Sequence, residues 1–232
     1  MFIGHFGVGL GLKHFAPKTN LGWLTTAAVL WDLLWVVFLL LHVGQARVVP
    51  GITRFSPWDM VSVPWSHSLL LCLLWGAALG GGYLLYTRYK AGAIALWAGV
   101  LSHWILDTIT HRADMPFYPN SARVRLGLYN SRVGTVTVEI LLFALGAWLY
   151  VRATRPRDHI GRFSLGLYLA ALVFLFVGGS FGPPPDSVAS EAWSGMFAFL
   201  VLVFWSGWTD RHRAPTMPAP SGSPPVTSDE AA

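Results

Sequence analysis

Long apolar runs separated by short polar loops fill most of the sequence. Six of the runs reach the roughly 20 residues that a helix needs to cross about 30 Å of hydrocarbon. They extend over Leu21 to Val43, Ser66 to Thr87, Ala91 to Thr110, Val133 to Ala153, Phe163 to Gly182 and Ser190 to Trp208. A shorter apolar stretch, MFIGHFGVGLGLKHFAP, precedes them. Its first positive charge, Lys13, follows the apolar residues, the reverse of a secretory signal, so it is expected to be retained. Gly4, Gly7 and Gly11 give it one face of small residues suited to close helix packing, and Pro17 ends it. The pattern predicts an all-α fold: a polytopic membrane helix bundle of about six transmembrane helices plus a short N-terminal half-helix, one domain over residues 1–213. Residues 214–232, rich in Pro and Ser, have little to bury and are expected to be disordered.

Composition agrees. Charged residues make up 12% of the chain and hydrophobic ones 54%, against roughly 25% charged in soluble domains, which excludes a disordered chain and disfavours an ordinary soluble enzyme. A single cysteine, Cys72, rules out a disulfide framework or a thiolate zinc finger within one chain. The formal net charge is +5, but the basic residues fall in short clusters between spans, as topology signals rather than a nucleic-acid surface. Ten Lys and Arg lie on the side of Lys13, Arg88, Arg155 and Arg211, and six on the side of Arg47 and Arg112. The positive-inside rule then places both termini in the cytoplasm, although the Arg-rich loop from Arg112 to Arg132 opposes it.

Ionisable residues inside spans are costly and mark candidate sites. Counting about 1.5 Å per helical residue from the cytoplasmic face puts Asp32 at roughly 16 Å, His5 and His103 at roughly 18 Å, Glu139 at about 20 Å and Asp107 at about 24 Å. His67 and His111, at span ends, are expected nearer the outer surface, at about 30 Å. Any one buried His is readily explained as a hydrogen-bonded packing residue, and Glu139 as the partner of a loop Arg. Convergence of imidazoles and carboxylates in an apolar bundle has fewer such explanations. His103 and Asp107, four apart, share a helical face and form half of a plausible site for Zn²⁺, which accepts imidazole nitrogen and carboxylate oxygen.

Four blocks, GHFGVG, LWDLLW, PWSHSLL and GVLSHWILDTITHRADMPFYP, resemble in order and spacing the YdjM-type inner-membrane metal-dependent hydrolases, over about the first 120 residues. The resemblance implies that His5, Asp32, His67, His103 and Asp107 are metal ligands. Two departures stand out: the family's Pro-Asp-x-Asp turn is reduced here to Trp31, Asp32 and Leu33, and its His-Arg-Gly-x-x-His block to His67 and Ser68. By depth, Glu139 is the candidate replacement for the missing carboxylate.

A metal so held, expected to be zinc, would let water attack an ester or phosphoester, with Glu139 or Asp32 taking the proton. Arg123, Arg125 and His111, near the outer mouth, are the candidate substrate contacts, and Arg suits an anionic lipid headgroup or lipid-linked substrate. The same two Arg equally suit anchoring of the loop to anionic lipids. A proton- or ion-coupled transporter would also use mid-membrane Asp, Glu and His around a half-helix, but the weak internal repetition disfavours it. Haem would need the paired His5 and His103 without the carboxylates, and a structural scaffold is the remaining class. The topology carries a test: cysteine introduced near Ser121 is expected to react with a membrane-impermeant reagent outside intact cells, and one near Thr154 to stay unlabelled. The opposite pattern inverts the orientation.

Overall fold

Helix starts in this chain coincide with side chains able to accept an otherwise unpaired backbone N–H. Asn20, Ser68, Ser131, Asp158 and Ser187 each accept from an amide two or three residues ahead, and each opens a long helix. The computed structural model describes residues 1–63, 65–119 and 121–216. Among them lie seven helices: α1 (Ile3–Phe15), α2 (Leu21–Leu40), α3 (Leu69–Thr87), α4 (Lys90–Thr110), α5 (Arg132–Ala153), α6 (His159–Phe181) and α7 (Val188–Arg211). Helices α2 to α7 are long and apolar enough to cross a membrane and match the six apolar runs to within a few residues. The half-helix is α1, which stops at Phe15, just before Ala16 and Pro17.

The all-α expectation holds with small additions. Three two-stranded antiparallel sheets cap the bundle: β1 (Gln45–Val48) with β2 (Trp58–Ser62), β3 (Met115–Pro116) with β4 (Arg123–Val124), and β5 (Thr154–Pro156) with β6 (Arg213–Pro215). The last pair moves the start of the expected tail, because Ala214 and Pro215 pair with Arg155 and Thr154 and the Thr216 amide donates to the Ala153 carbonyl. The rest of the tail, residues 217–232, lies outside the described residues.

Helix α1 is buried along most of its length, against α5, α2 and α4. The small-residue face does what its spacing predicts. A Cβ on Gly7 would stand 2.6 Å from the Leu142 carbonyl oxygen, and one on Gly146 would overlap the Gly7 carbonyl, so the two backbones touch where both residues lack side chains. At the other end of α1, Lys13 Nζ donates to Asp210 Oδ2 (2.6 Å) and the Thr19 carbonyl (2.8 Å), while Tyr150 donates to Asp210 Oδ1 (2.8 Å). This buried network ties α1, α5 and α7 together opposite the β1–β2 hairpin. Of the GGG triplet, only Gly80 serves close packing, against the Ala93 carbonyl, whereas Gly81 and Gly82 face open space. Cys72 is buried in the core. Phe174, Phe181, Phe197 and Phe204 of α6 and α7 stay exposed, forming a surface fit for lipid.

The Gly7–Gly146 contact makes a sharp prediction. Gly146→Ala should destabilise the bundle by about 1–3 kcal/mol through overpacking, seen as a lower thermal midpoint in detergent. Gly81→Ala, with nothing within 4 Å of its Cβ, should leave the midpoint unchanged.

Candidate metal centre

Asp107 is the hub of a buried cluster in the half of the bundle beneath the β1–β2 hairpin. It stands on α4 one turn beyond His103, and both are almost wholly buried. Its Oδ1 is 3.1 Å from His5 Nε2 and 2.7 Å from the Met1 amine nitrogen. Its Oδ2 is 3.1 Å from His103 Nε2, 3.7 Å from His111 Nε2 and 3.9 Å from His67 Nε2. Asp32 of α2 completes the ring, with Oδ1 3.6 Å from His103 Nε2. The chain elements that carry these groups are distant in sequence, so the site exists only because α1 is pinned inside the bundle.

His103 shows what the cluster is suited to hold. Its Nδ1 lies 2.9 Å from the Ala28 carbonyl oxygen. A carbonyl only accepts, so Nδ1 carries the ring proton and Nε2 of the neutral ring presents a lone pair. That Nε2 is buried and has no hydrogen-bond partner, although it faces two carboxylates. A lone pair opposed to carboxylate oxygens is unfavourable unless a cation or a proton lies between them, and a backbone carbonyl behind a ligating His is the usual way its tautomer is fixed. His67 Nδ1 is 2.9 Å from Ser66 Oγ, a hydroxyl that either donates or accepts, and its Nε2 is turned to Asp107. The His5 ring stacks on that of His103 at 3.7 Å and 7°, which brings its Nε2 to the same point. Two sets of three donors, His5/His103/Asp107 and Asp32/His67/His103, each keep their ligand atoms within 4.8 Å of one another and share His103. Imidazole and carboxylate donors so gathered fit a divalent ion such as Zn²⁺ at about 2 Å.

The sequence-derived site residues divide into three groups. His5, Asp32, His103 and Asp107 come together as expected. His67 and His111 join them from the ends of their spans, just before α3 and just after α4. The chain from Ser66 to Ser68 is buried before α3 begins, so His67 enters the bundle ahead of its helix. His111 follows Asp107 by one turn, and its side chain leans back toward the helix N-terminus. Glu139 lies beside the cluster, but its carboxylate accepts from the amides of Phe2 (3.0 Å) and Gly4 (2.9 Å), where α1 has unpaired donors. Arg123 and Arg125 lie elsewhere. The Arg123 guanidinium donates to the Met60 and Val61 carbonyls, clasping the hairpin, and Arg125 is exposed.

Sequence reasoning missed the Met1 nitrogen, the Ala28 carbonyl, Ser66, Asp114 and Tyr129. Ser66 was visible beside His67, and Asp114, 3.6 Å from His111 Nδ1, follows it by three residues. A backbone carbonyl leaves no trace in a sequence. Tyr129 comes from a short 3-10 helix, Leu128–Asn130, and its ring centroid lies 4.9 Å from that of His111, the planes tilted by 46°. Burial pushes its phenol up to about 12, so at neutral pH it remains an O–H donor. A cavity of about 420 Å³ adjoins the cluster, with Asp32, His67, His111, Tyr129 and Glu139 on its wall.

Glu139→Ala would strip the start of α1 of its acceptor, at a cost of about 1–3 kcal/mol for amides left unpaired. Faster hydrogen exchange at Phe2 and Gly4 than in the wild type, with α5 still protected, is the expected signature.

Known proteins bear on the family. The sequence model of the YdjM inner membrane protein family matches residues 63–181, a stretch that includes His67, His103, Asp107 and His111. The matched region starts and ends later than the resemblance read from sequence: it takes in α5 and α6, while His5 and Asp32 precede it. No curated protein and no solved structure matches the chain. With just over half of its residues covered, the chain belongs to the YdjM inner membrane protein family.

Proposed function

We propose that the protein is a membrane-embedded metal-dependent hydrolase acting on an ester or phosphoester, with zinc as its ion. One observation carries this reading: the buried, unpartnered Nε2 of His103, fixed as a lone-pair donor by the Ala28 carbonyl and surrounded by further donors. His5, His103 and Asp107 form the inner donor set, with His67 beside them. When bound there, zinc would supply Lewis acidity, making water a nucleophile near neutral pH and polarising the oxygen under attack.

The remaining roles belong to the chain itself. Asp32 is the carboxylate of the cluster with the most exposure, 17% of its side chain, and it fronts the cavity, so its Oδ atoms are placed to take the proton of an attacking water. Tyr129, which also lines the cavity, offers an O–H to the oxygen that gains charge. Glu139, engaged by the α1 amides, positions His5 rather than moving protons. His111 borders both the cluster and the cavity, the place of a substrate contact, a role that Arg123 and Arg125, outside the cavity lining, are poorly placed to fill. Opposite the hairpin the bundle is filled by the Lys13–Asp210–Tyr150 network, which an alternating-access transporter would have to break. By the distribution of Lys and Arg, the termini face the cytoplasm and the cluster lies in the outer half of the membrane.

Protein purified in detergent should carry about one zinc per chain, and His103→Ala and Asp107→Ala should each lose it by elemental analysis. Unchanged metal in both variants removes the site. Zinc-loaded protein should also hydrolyse p-nitrophenyl butyrate or bis(p-nitrophenyl) phosphate faster than His103→Ala does, and equal rates would leave a metal protein without hydrolytic function.

A further inference from the structure

The cavity beside the cluster has a mouth, and its position identifies what enters. Most of the lining is buried or half-buried; the exposed lining residues are Leu175 and Gly179 of α6 and Ser194 of α7. The opening therefore lies between two helices that are each long and apolar enough to cross a membrane, not only beneath the hairpin. Its rim is low. Gly179 has nothing within 4 Å of where a Cβ would be, and Gly195 and Ala198 of α7 add no bulk across from it. Adjacent in sequence to the lining residues Leu175 and Ala198, Phe174 is 77% exposed and Phe197 72%, surface that faces lipid once the helices are in a bilayer.

The lining is mixed in character. Phe176, Phe199, Trp58 and Met60 are its bulky apolar members, Asp32, His67 and His111 belong also to the Asp107 cluster, and Glu191 of α7 adds a further carboxylate. A largely apolar cavity that reaches exposed residues of α6 and α7 as well as a cluster of imidazoles and carboxylates matches a molecule with an acyl chain at one end and a polar, hydrolysable group at the other. At about 420 Å³ the cavity is within the range of small-molecule sites of roughly 300–1,000 Å³, enough for a headgroup and the first part of a chain. The remainder of the chain would stay in lipid through the α6–α7 gap.

We propose that the substrate is an acyl lipid that enters sideways from the membrane between α6 and α7, its ester or phosphoester directed to the cluster. This rests on the hydrolase reading for its chemistry, but the entry route does not depend on the metal. Full-length protein in vesicles of phosphatidylethanolamine and phosphatidylglycerol, doped with a phosphatidylethanolamine bearing a diazirine in its acyl chain, supplies the test. After illumination, adducts should appear on the interior residues Trp58, Met60 and Phe176 as well as on the lipid-facing Phe174 and Phe197. Gly179→Trp and Ala198→Trp, which fill the mouth, should reduce the interior adducts at least fivefold and leave those on Phe174 intact. Gly166→Trp, on α6 in open space and outside the cavity lining, serves as the control and should change neither. Adducts confined to the outer faces, or interior adducts equal in the plugged variants, overturn lateral entry. Interior labelling in a protein that binds no zinc would keep the portal and discard the hydrolase, so the two failures are distinguishable.

Discussion

Burial of the Asp107 carboxylate is the constraint around which this bundle is organised. A lone carboxylate in hydrocarbon costs far more than a domain can spare, and it persists only when positive or hydrogen-bonding groups surround it. Here the Met1 nitrogen and His5 Nε2 lie within hydrogen-bonding distance of it, and the Nε2 atoms of His67, His103 and His111 turn toward it within 4 Å, an arrangement completed by a cation or a proton among them. No neighbouring helix in the sequence can supply that many partners. The half-helix α1 has to enter the bundle, α3 has to begin below its surface, and α4 has to continue one turn past Asp107.

The other features follow from holding α1 in place. A 13-residue helix is too short to be stable on its own or to span a bilayer. Its position is set by backbone contact with α5 at Gly7 and Gly146, by Glu139 at its start and by the Lys13–Asp210 pair near its end. Side chains at either glycine would separate the helices and draw His5 away from Asp107. The packing and the site are thus one problem, solved by residues that never touch a ligand.

Much of this was legible from the sequence because the membrane imposes simple lengths. Six spans, their approximate limits and the tucked α1 followed from runs of about 20 apolar residues and from glycine spacing. His103 and Asp107 were readable as a pair because helical periodicity fixes which residues share a face. A depth count set His67 and His111 apart from the others because it ignores the direction in which a side chain leans, and both reach toward Asp107 from the ends of their spans. Glu139 was readable as an ionisable residue within a span, yet its engagement with the Phe2 and Gly4 amides depends on where a different helix begins, which no local pattern encodes. Arg123 looked like a ligand for phosphate and instead holds two carbonyls of the hairpin, a long-range contact to a β-turn region that hydropathy does not reveal.

Two buried ionic clusters in one bundle allow a comparison that composition alone would not. Around Asp210 the polar atoms are matched: Lys13, Tyr150 and the Leu21 amide donate to its two oxygens, and Arg213 is spent on Thr154 and the Gly161 carbonyl. Such a set gains nothing by taking on another group, and it closes its half of the protein. Around Asp107, His103 Nε2 and His5 Nδ1 are buried without partners, as are the Trp31 and Trp35 indole nitrogens nearby. Leaving such atoms unpaired costs about 1–3 kcal/mol each, and the cost is concentrated at the end of the bundle that has a cavity and an opening. The same physics that makes Asp210 a fastening makes Asp107 the centre of a binding site, and the difference between them lies in which donors and acceptors are still free.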